Sequence, residues 1–254
     1  QPGTQQDPLA GYASYYSKDN ERALPGYYEV LLKTHRTKVE LTASDRVAFH
    51  RYTFPKDVEK HVMINLKDAN GDDRPTDTYL EQINDTVIRG YRYSTGWSKK
   101  QQIYFSAVFS QPVHLTLYHD SVQVAGNRLQ GLDVKGNVAV APVVEELGVK
   151  VGISPVSMEN AMDNIGQEIK DWNFENIVAE TTGKWNAELS KLQVETTDTV
   201  AKRIFYTALY HAFMQPIMFN DCSGEYRGTD KNIYGDPGFT NYTVFSLWDT
   251  YRAA

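Results

Sequence analysis

Cysteine is almost missing from this chain. Cys222 is the only one in 254 residues, so no disulfide can close within it and thiol content says little about compartment. Runs of lysine and arginine are missing too. The 26 basic residues face 32 acidic ones, for a formal net charge of −6 at pH 7. Nucleic acid and anionic membrane surfaces both demand clustered positive charge, so neither is an expected partner, and a neutral ligand fits better. No stretch of about 18 consecutive apolar residues exists, so nothing reads as a spanning helix. Internal repeats and low-complexity tracts are absent. The opening Gln1-Pro2-Gly3 has neither a methionine nor a signal sequence, as a processed or trimmed start would leave it. With 41% hydrophobic and 23% charged residues, the chain can bury one large core or two smaller ones, and two domains fit better.

What is present changes character near residue 155. From Tyr27 to Ser154 apolar residues alternate with polar ones, as in Val39 and Leu41, then Ile103, Phe105, Ala107 and Phe109, then Val113, Leu115 and Leu117, then Val149, Val151 and Ile153. A period of two marks half-buried strands. Turn signals at Asn70-Gly71-Asp72-Asp73, Gly126-Asn127 and Lys135-Gly136-Asn137 separate them. The pattern predicts an antiparallel sandwich of roughly nine to eleven strands joined by hairpins.

After Pro155 the period becomes helical. Ser157 is placed to cap a helix with Met158, Ala161, Met162, Ile165 and Ile169 on one face. Asn173 caps a second, carrying Phe174, Ile177, Val178, Thr181, Trp185, Leu189 and Leu192. A third, from about Thr197, shows Val200, Ile204, Ala208 and His211 on one side and stops by Pro216. Residues 219–240 predict a long irregular segment, and a fourth helix is expected to begin around Trp248-Asp249. Strands followed by helices leave open whether this is one α+β domain or two successive domains.

The Trp248-Asp249 pair carries the functional signal, and its chemistry reads two ways. An indole can lie against the C–H face of a pyranose while a neighbouring carboxylate accepts from its hydroxyls, with Arg252 three positions on to orient that carboxylate. A packed indole beside a carboxylate favoured by a helix N-terminus is the plainer reading.

The wording around the pair is longer and ordered. Phe205-Tyr-Thr-Ala-Leu-Tyr-His211, then Asp221-Cys-Ser-Gly-Glu-Tyr226-Arg227-Gly228, then Phe239 through Trp248-Asp249-Thr-Tyr251-Arg252 closely resemble glycoside hydrolase family 92, the calcium-dependent exo-α-mannosidases. Pro25-Gly26-Tyr27-Tyr28-Glu29-Val30, Glu40 through Pro55, and Gly96-Trp97 resemble that family's N-terminal domain.

The resemblance implies a multi-domain β + α chain, in which an antiparallel β-sandwich is followed by a helical linker and the start of an (α/α)6 barrel. Residues 1–150 would be the sandwich, incomplete at its start, 151–192 the linker, and 193–254 the barrel's truncated beginning. It implies an inverting exo-α-mannosidase that removes terminal, α-1,2-linked mannose from mannan or N-glycans in a bacterial extracytoplasmic, periplasmic, cell-surface or secreted setting. The general acid, the base and the calcium ligands would lie beyond Ala254, in the remainder of the same polypeptide, so the 254 residues alone would be inactive and would not fold independently.

Carried over residue by residue, Trp248 would be the mannose platform and Asp249 the hydroxyl acceptor, with Arg252 and Tyr251 supporting them. Tyr226 and Arg227 match the family's Tyr-Arg-Gly loop. They either touch sugar or brace the loop through an Arg–carboxylate pair, with Gly228 supplying a positive φ.

Other constellations point to structure. Asp221 through Glu225 and Asn70 through Asp73 group oxygen ligands without the spacing of an EF-hand loop. His211 is expected in a core or lining the barrel, and His50 within the sandwich. His114 and His119 are five residues apart and do not share a strand face. Trp97 is expected to pack where sandwich and barrel meet. Two further classes stay open: a non-catalytic carbohydrate-binding sandwich, and a glycoside phosphorylase with a related helical toroid.

Overall fold

The computed structural model describes residues 13–56, 58–69, 71–235 and 238–243. The alternating segments become thirteen strands among the described residues: β1 (Glu21–Leu24), β2 (Tyr27–Leu32), β3 (Thr37–Ala43), β4 (Val47–Thr53), β5 (Lys60–Asn65), β6 (Arg74–Asn84), β7 (Val87–Thr95), β8 (Gln101–Phe109), β9 (Val113–His119), β10 (Val122–Val124), β11 (Arg128–Gly131), β12 (Val134–Val140) and β13 (Glu146–Ser154). They exceed the expected number because β1, β10 and β11 are only three or four residues long, too short for a period-two signal.

Nine strands form one sheet in the order β1-β2-β3-β4-β13-β8-β7-β6-β11, and four form a second in the order β10-β9-β12-β5. The pairings are antiparallel. Between the sheets Leu80, Ile88, Leu117, Val134, Val138 and Leu147 lose all contact with solvent, and burial of such side chains drives the two layers together. One expected turn is a strand instead. Lys135-Gly136-Asn137 lies within β12, with Gly136 opposite both Ile64 and Leu117. A Cβ on Gly136 would sit 2.5 Å from Leu80 Cδ2, so the glycine is there for close sheet-to-sheet approach, not for a turn.

The other face of the large sheet is covered by helices. α1 (Met158–Glu168) and α2 (Phe174–Leu189) start at the anticipated caps, Ser157 and Asn173, whose side chains accept from Asn160 N and Asn176 N. Their apolar faces bring Ile165, Ile169, Phe174 and Ile177 onto Val47 and Phe49. Lys150 threads this layer, donating to Ile169 O at 2.9 Å with its ammonium 4.3 Å from the Trp172 ring. At the tightest crossing, a Cβ on Gly152 of β13 would lie 2.1 Å from Ala161 O.

α3 (Thr199–Ala212) is capped by Asp198 and leans on α2 through Trp185 and Tyr210, ring centroids 4.6 Å apart. Val200 and Ile204 are each 64% exposed, and His211 is exposed as well; α3 meets α2 through another edge, that of Tyr210. The fourth helix expected around Trp248 falls outside the described residues.

Two outcomes follow from this packing. Gly152→Val forces α1 away from β13 and lowers stability by about 1–3 kcal/mol. Gly166→Ala, at a helical site with nothing within 4 Å, raises it by about 0.5–1 kcal/mol. Urea midpoints of the two variants check both signs. His50, whose Nδ1 lies 2.8 Å from Tyr52 Oη, is held below the ordinary histidine pKa by burial. Below about pH 6.5 the unfolded chain takes up a proton that folded His50 refuses, so its contribution is lost as pH falls. His50→Gln is expected to flatten the decline in urea midpoint between pH 7.5 and 5.5.

Candidate functional site

The segment that leads to Trp248 is placed by the second, polar side of α1. Asn160, Asn164 and Glu168 recur every four residues, so they form one stripe along the helix. Asp221, 2% exposed, lies on that stripe. Its Oδ2 accepts from Ser154 Oγ at 2.7 Å and Asn160 Nδ2 at 2.9 Å, and its Oδ1 accepts from Asn164 Nδ2 at 2.9 Å. Asn164 Oδ1 takes the Cys222 N–H at 2.8 Å, and Asn160 Nδ2 also reaches Glu225 Oε2 at 2.9 Å. One turn further, Glu168 holds Arg46 through Nη1 at 2.7 Å and the backbone N–H at 2.9 Å. The Nε of Arg46 donates to Asn220 O.

From this dock the hold passes along the chain. Asn220 Oδ1 accepts from Asn241 N, Phe219 N donates to Asn241 O at 2.8 Å, and Thr243 N donates to Ile217 O at 2.8 Å. Thr243 stands five positions before Trp248. Trp248, Asp249, Tyr251 and Arg252 themselves lie outside the described residues.

The Tyr-Arg-Gly loop is a small hairpin of β14 (Tyr226–Arg227) and β15 (Ile233–Tyr234). Tyr226 stacks on Tyr234 at 5.4 Å between ring centroids and meets Phe239 at 6.0 Å. Arg227 braces the loop through carbonyls, not a carboxylate: Nε donates to Pro155 O at 2.8 Å, Nη1 to Lys231 O at 2.9 Å and Nη2 to Val156 O at 3.4 Å. Nor does Gly228 supply a positive φ: within the hairpin that conformation belongs to Lys231, at 75°, and just ahead of it to Gly224, at 87°. A Cβ on Gly228 would sit 2.7 Å from Asp230 Oδ1 and 2.8 Å from Tyr234 Cε2, so close approach selects the glycine. Cys222 is an inert thiol. Partial burial and the Glu168 carboxylate, 3.4 Å from Sγ, push it up to about 11.

Between this loop and the β7–β8 hairpin opens a cleft of about 650 Å³, lined among others by Trp97, Lys100, Gln102, Arg227, Lys231 and Tyr242. Trp97 is 98% exposed at its rim. Its hairpin is fixed from behind. A Cβ on Gly96 would lie 2.9 Å from Asp73 Cα, and Asp73 is paired with Arg92. An exposed indole with amide and ammonium donors nearby is suited to a polyhydroxylated ligand. Calcium does not fit the described residues, among which no group of three or more His, Cys, Asp or Glu is placed to hold a metal. Both carboxyl oxygens of Asp221 and Oε2 of Glu225 are engaged by Ser and Asn donors instead.

Residues 1–154 match the glycosyl hydrolase family 92 N-terminal domain, and residues 160–254 match the glycosyl hydrolase family 92 catalytic domain. The chain belongs to glycoside hydrolase family 92. It is similar to the solved family GH92 α-mannosidase BT3965 from Bacteroides thetaiotaomicron, with 35% identity and a TM-score of 0.91 over 99% of this chain and 35% of that one. The same enzyme in complex with mannoimidazole matches with equal identity and TM-score over 99% of this chain and 34% of that one. The GH92 glycosyl hydrolase ccman5 matches at 26% identity and a TM-score of 0.85, over 92% of this chain and 34% of its own. The inverting mannosidase BT2199 from Bacteroides thetaiotaomicron shares the fold at 22% identity and a TM-score of 0.81, over 94% of this chain and 32% of that one. The chain thus spans about a third of the length of these solved relatives. No curated protein matches it. No helix among the described residues is long and apolar enough to cross a membrane.

The brace on the Tyr-Arg-Gly loop is testable. Arg227→Lys keeps the charge and loses the planar fork, so it is expected to cost about 1–2 kcal/mol and to speed proteolysis within residues 226–234.

Proposed function

We propose that this chain supplies the sandwich domain and part of the mannose subsite of an inverting exo-α-mannosidase. Its substrate is terminal α-linked mannose, α-1,2-linked in mannan or N-glycans, met in a bacterial periplasm, at the cell surface or in the medium. The observation that carries this reading is the cleft in which exposed Trp97 faces the Asn241–Thr243 segment, five positions ahead of the Trp-Asp pair. Family membership and the likeness to BT3965 support it.

In this reading Trp248 lies against the C–H face of the terminal mannose, and Asp249 accepts from its hydroxyls with Arg252 and Tyr251 behind it. Tyr226 and Arg227 hold the wall of the cleft. The acid that protonates the leaving oxygen and the base that activates water belong to the rest of the polypeptide, as do the calcium ligands. The 254 residues alone are therefore inactive. What these residues contribute to rate is orientation, which fixes the sugar before the remote carboxyls act.

The complete polypeptide is expected to hydrolyse an aryl α-mannoside, to release β-mannose first by NMR, and to stop when calcium is chelated. Trp248→Ala and Asp249→Ala should each lower kcat/KM on the order of 10²-fold. An enzyme that leaves aryl α-mannosides and α-1,2-mannobiose intact with calcium present would end this reading.

A further inference from the structure

The cleft beside Trp97 carries a sign of charge that the chain as a whole does not. The full sequence sums to −6, yet Lys100, Arg227 and Lys231 line this cleft, and Asp73 is the one carboxylate among its described lining residues. Asp73 is already paired with Arg92. Resting on the mannosidase reading above, we propose that the cleft holds an anion subsite, formed by Lys100 and Lys231, for an acidic substituent on the glycan, with a phosphate ester as the group it suits best.

The two lysines come from different hairpins. Lys100 lies in the connection between β7 and β8, and Lys231 in the turn between β14 and β15. Among the described residues neither ammonium is ion-paired. Asp230, beside Lys231 in the chain, is occupied elsewhere: its carboxylate accepts from the Asn232 N–H and amide and from Tyr234 Oη. Lys231 is half-buried and held in place. Its φ of 75° is a left-handed conformation that costs a residue with a Cβ. Two bonds enforce it, since its N–H donates to Gly228 O at 2.9 Å and its carbonyl accepts from Arg227 Nη1 at 2.9 Å. Backbone strain of this kind persists where the surroundings over-determine it. Arg227 adds charge without a free fork, because Nε, Nη1 and Nη2 are turned to carbonyls. A planar carboxylate is read best by a guanidinium fork, whereas ammonium groups act as point charges and suit a phosphate with acceptor oxygens on several sides. Cations gathered on one cleft add their potentials there, so a ligand bearing negative charge gains what a neutral hydroxyl does not.

The test uses the complete enzyme and two probes, an α-mannan oligosaccharide bearing a phosphate monoester and the same oligosaccharide after phosphatase treatment. Calorimetry gives a Kd for each, and their ratio is the readout. A variant that only unfolds part of the population leaves this ratio unchanged, because both probes meet the same folded fraction. The ester is expected to bind about tenfold tighter at low salt, and the preference to shrink to about threefold at about 0.3 M salt as screening grows. Lys100→Gln and Lys231→Gln are each expected to cut the ratio about threefold, and the double variant to bring it to about one. A ratio near one in the unaltered enzyme, as when an acidic side chain from the rest of the polypeptide sits between the lysines, would overturn the subsite. So would a ratio that survives in the double variant, which places the anion elsewhere. Inorganic phosphate binding as tightly as the ester would overturn the assignment to a glycan substituent. An ester preference that the lysine variants abolish, in an enzyme that leaves aryl α-mannosides intact with calcium present, would sink the mannosidase reading and leave the anion subsite standing.

Discussion

A buried carboxyl group with three side-chain donors on it, that of Asp221, anchors the loop region that follows α3. Losing one partner from such a group leaves a desolvated atom behind, at a cost of about 1–3 kcal/mol. The contacts of Asp221 therefore act as a unit, and Ser154, Asn160 and Asn164 have to be fixed before the loop arrives. They are fixed by apolar packing on the opposite side of α1, where Ala161, Ile165 and Ile169 press on the large sheet. The hydrophobic layer sets the helix, the helix sets the stripe, and the stripe sets the loop.

This order explains which features could be read from sequence. Ser157 and Asn173 announced their helices because an N-cap is a local device, satisfied by an amide two or three residues on. The alternation of β3, β8, β9 and β13 was visible because one face of each strand is buried. The stripe of Asn160, Asn164 and Glu168 was not visible, since polar residues at fourfold spacing look like a solvated helix face. Only the partner loop, more than fifty residues away, makes that face an interior one. Gly136 misled for the same reason: a glycine beside an asparagine signals a turn locally, and only the opposing Leu80 and Leu115 reveal a packing role.

The candidate site divides in the same way. The tripeptide Tyr226-Arg227-Gly228 was legible as a loop element, but its bonding pattern was not. Arg227 chooses carbonyls of Pro155 and Val156 because the end of β13 brings acceptors there, a long-range fact. The guanidinium fork suits this use, since its donors spread over several acceptors without needing a charge. Arg227 thereby joins the sandwich to the hairpin, much as Arg46 joins it to Asn220.

Trp97 shows why such bracing matters for the proposed sugar cleft. A fully exposed indole gains nothing from folding, so its place on the hairpin contributes no stability through burial. What folding supplies is rigidity: close packing of Gly96 on Asp73, and Asp73 held by Arg92. Across the cleft, Asn241 to Thr243 are held by the dock on α1. A polyhydroxylated ligand offers many weak contacts, each readily cancelled by the entropy of ordering a mobile wall. Two walls fixed in advance, one by the sheet and one by the helix, let those weak contacts accumulate. The sandwich is thus a mounting for the candidate cleft, holding one wall through Gly96, Asp73 and Arg92 and the other through the polar contacts that cross from α1 to the loop.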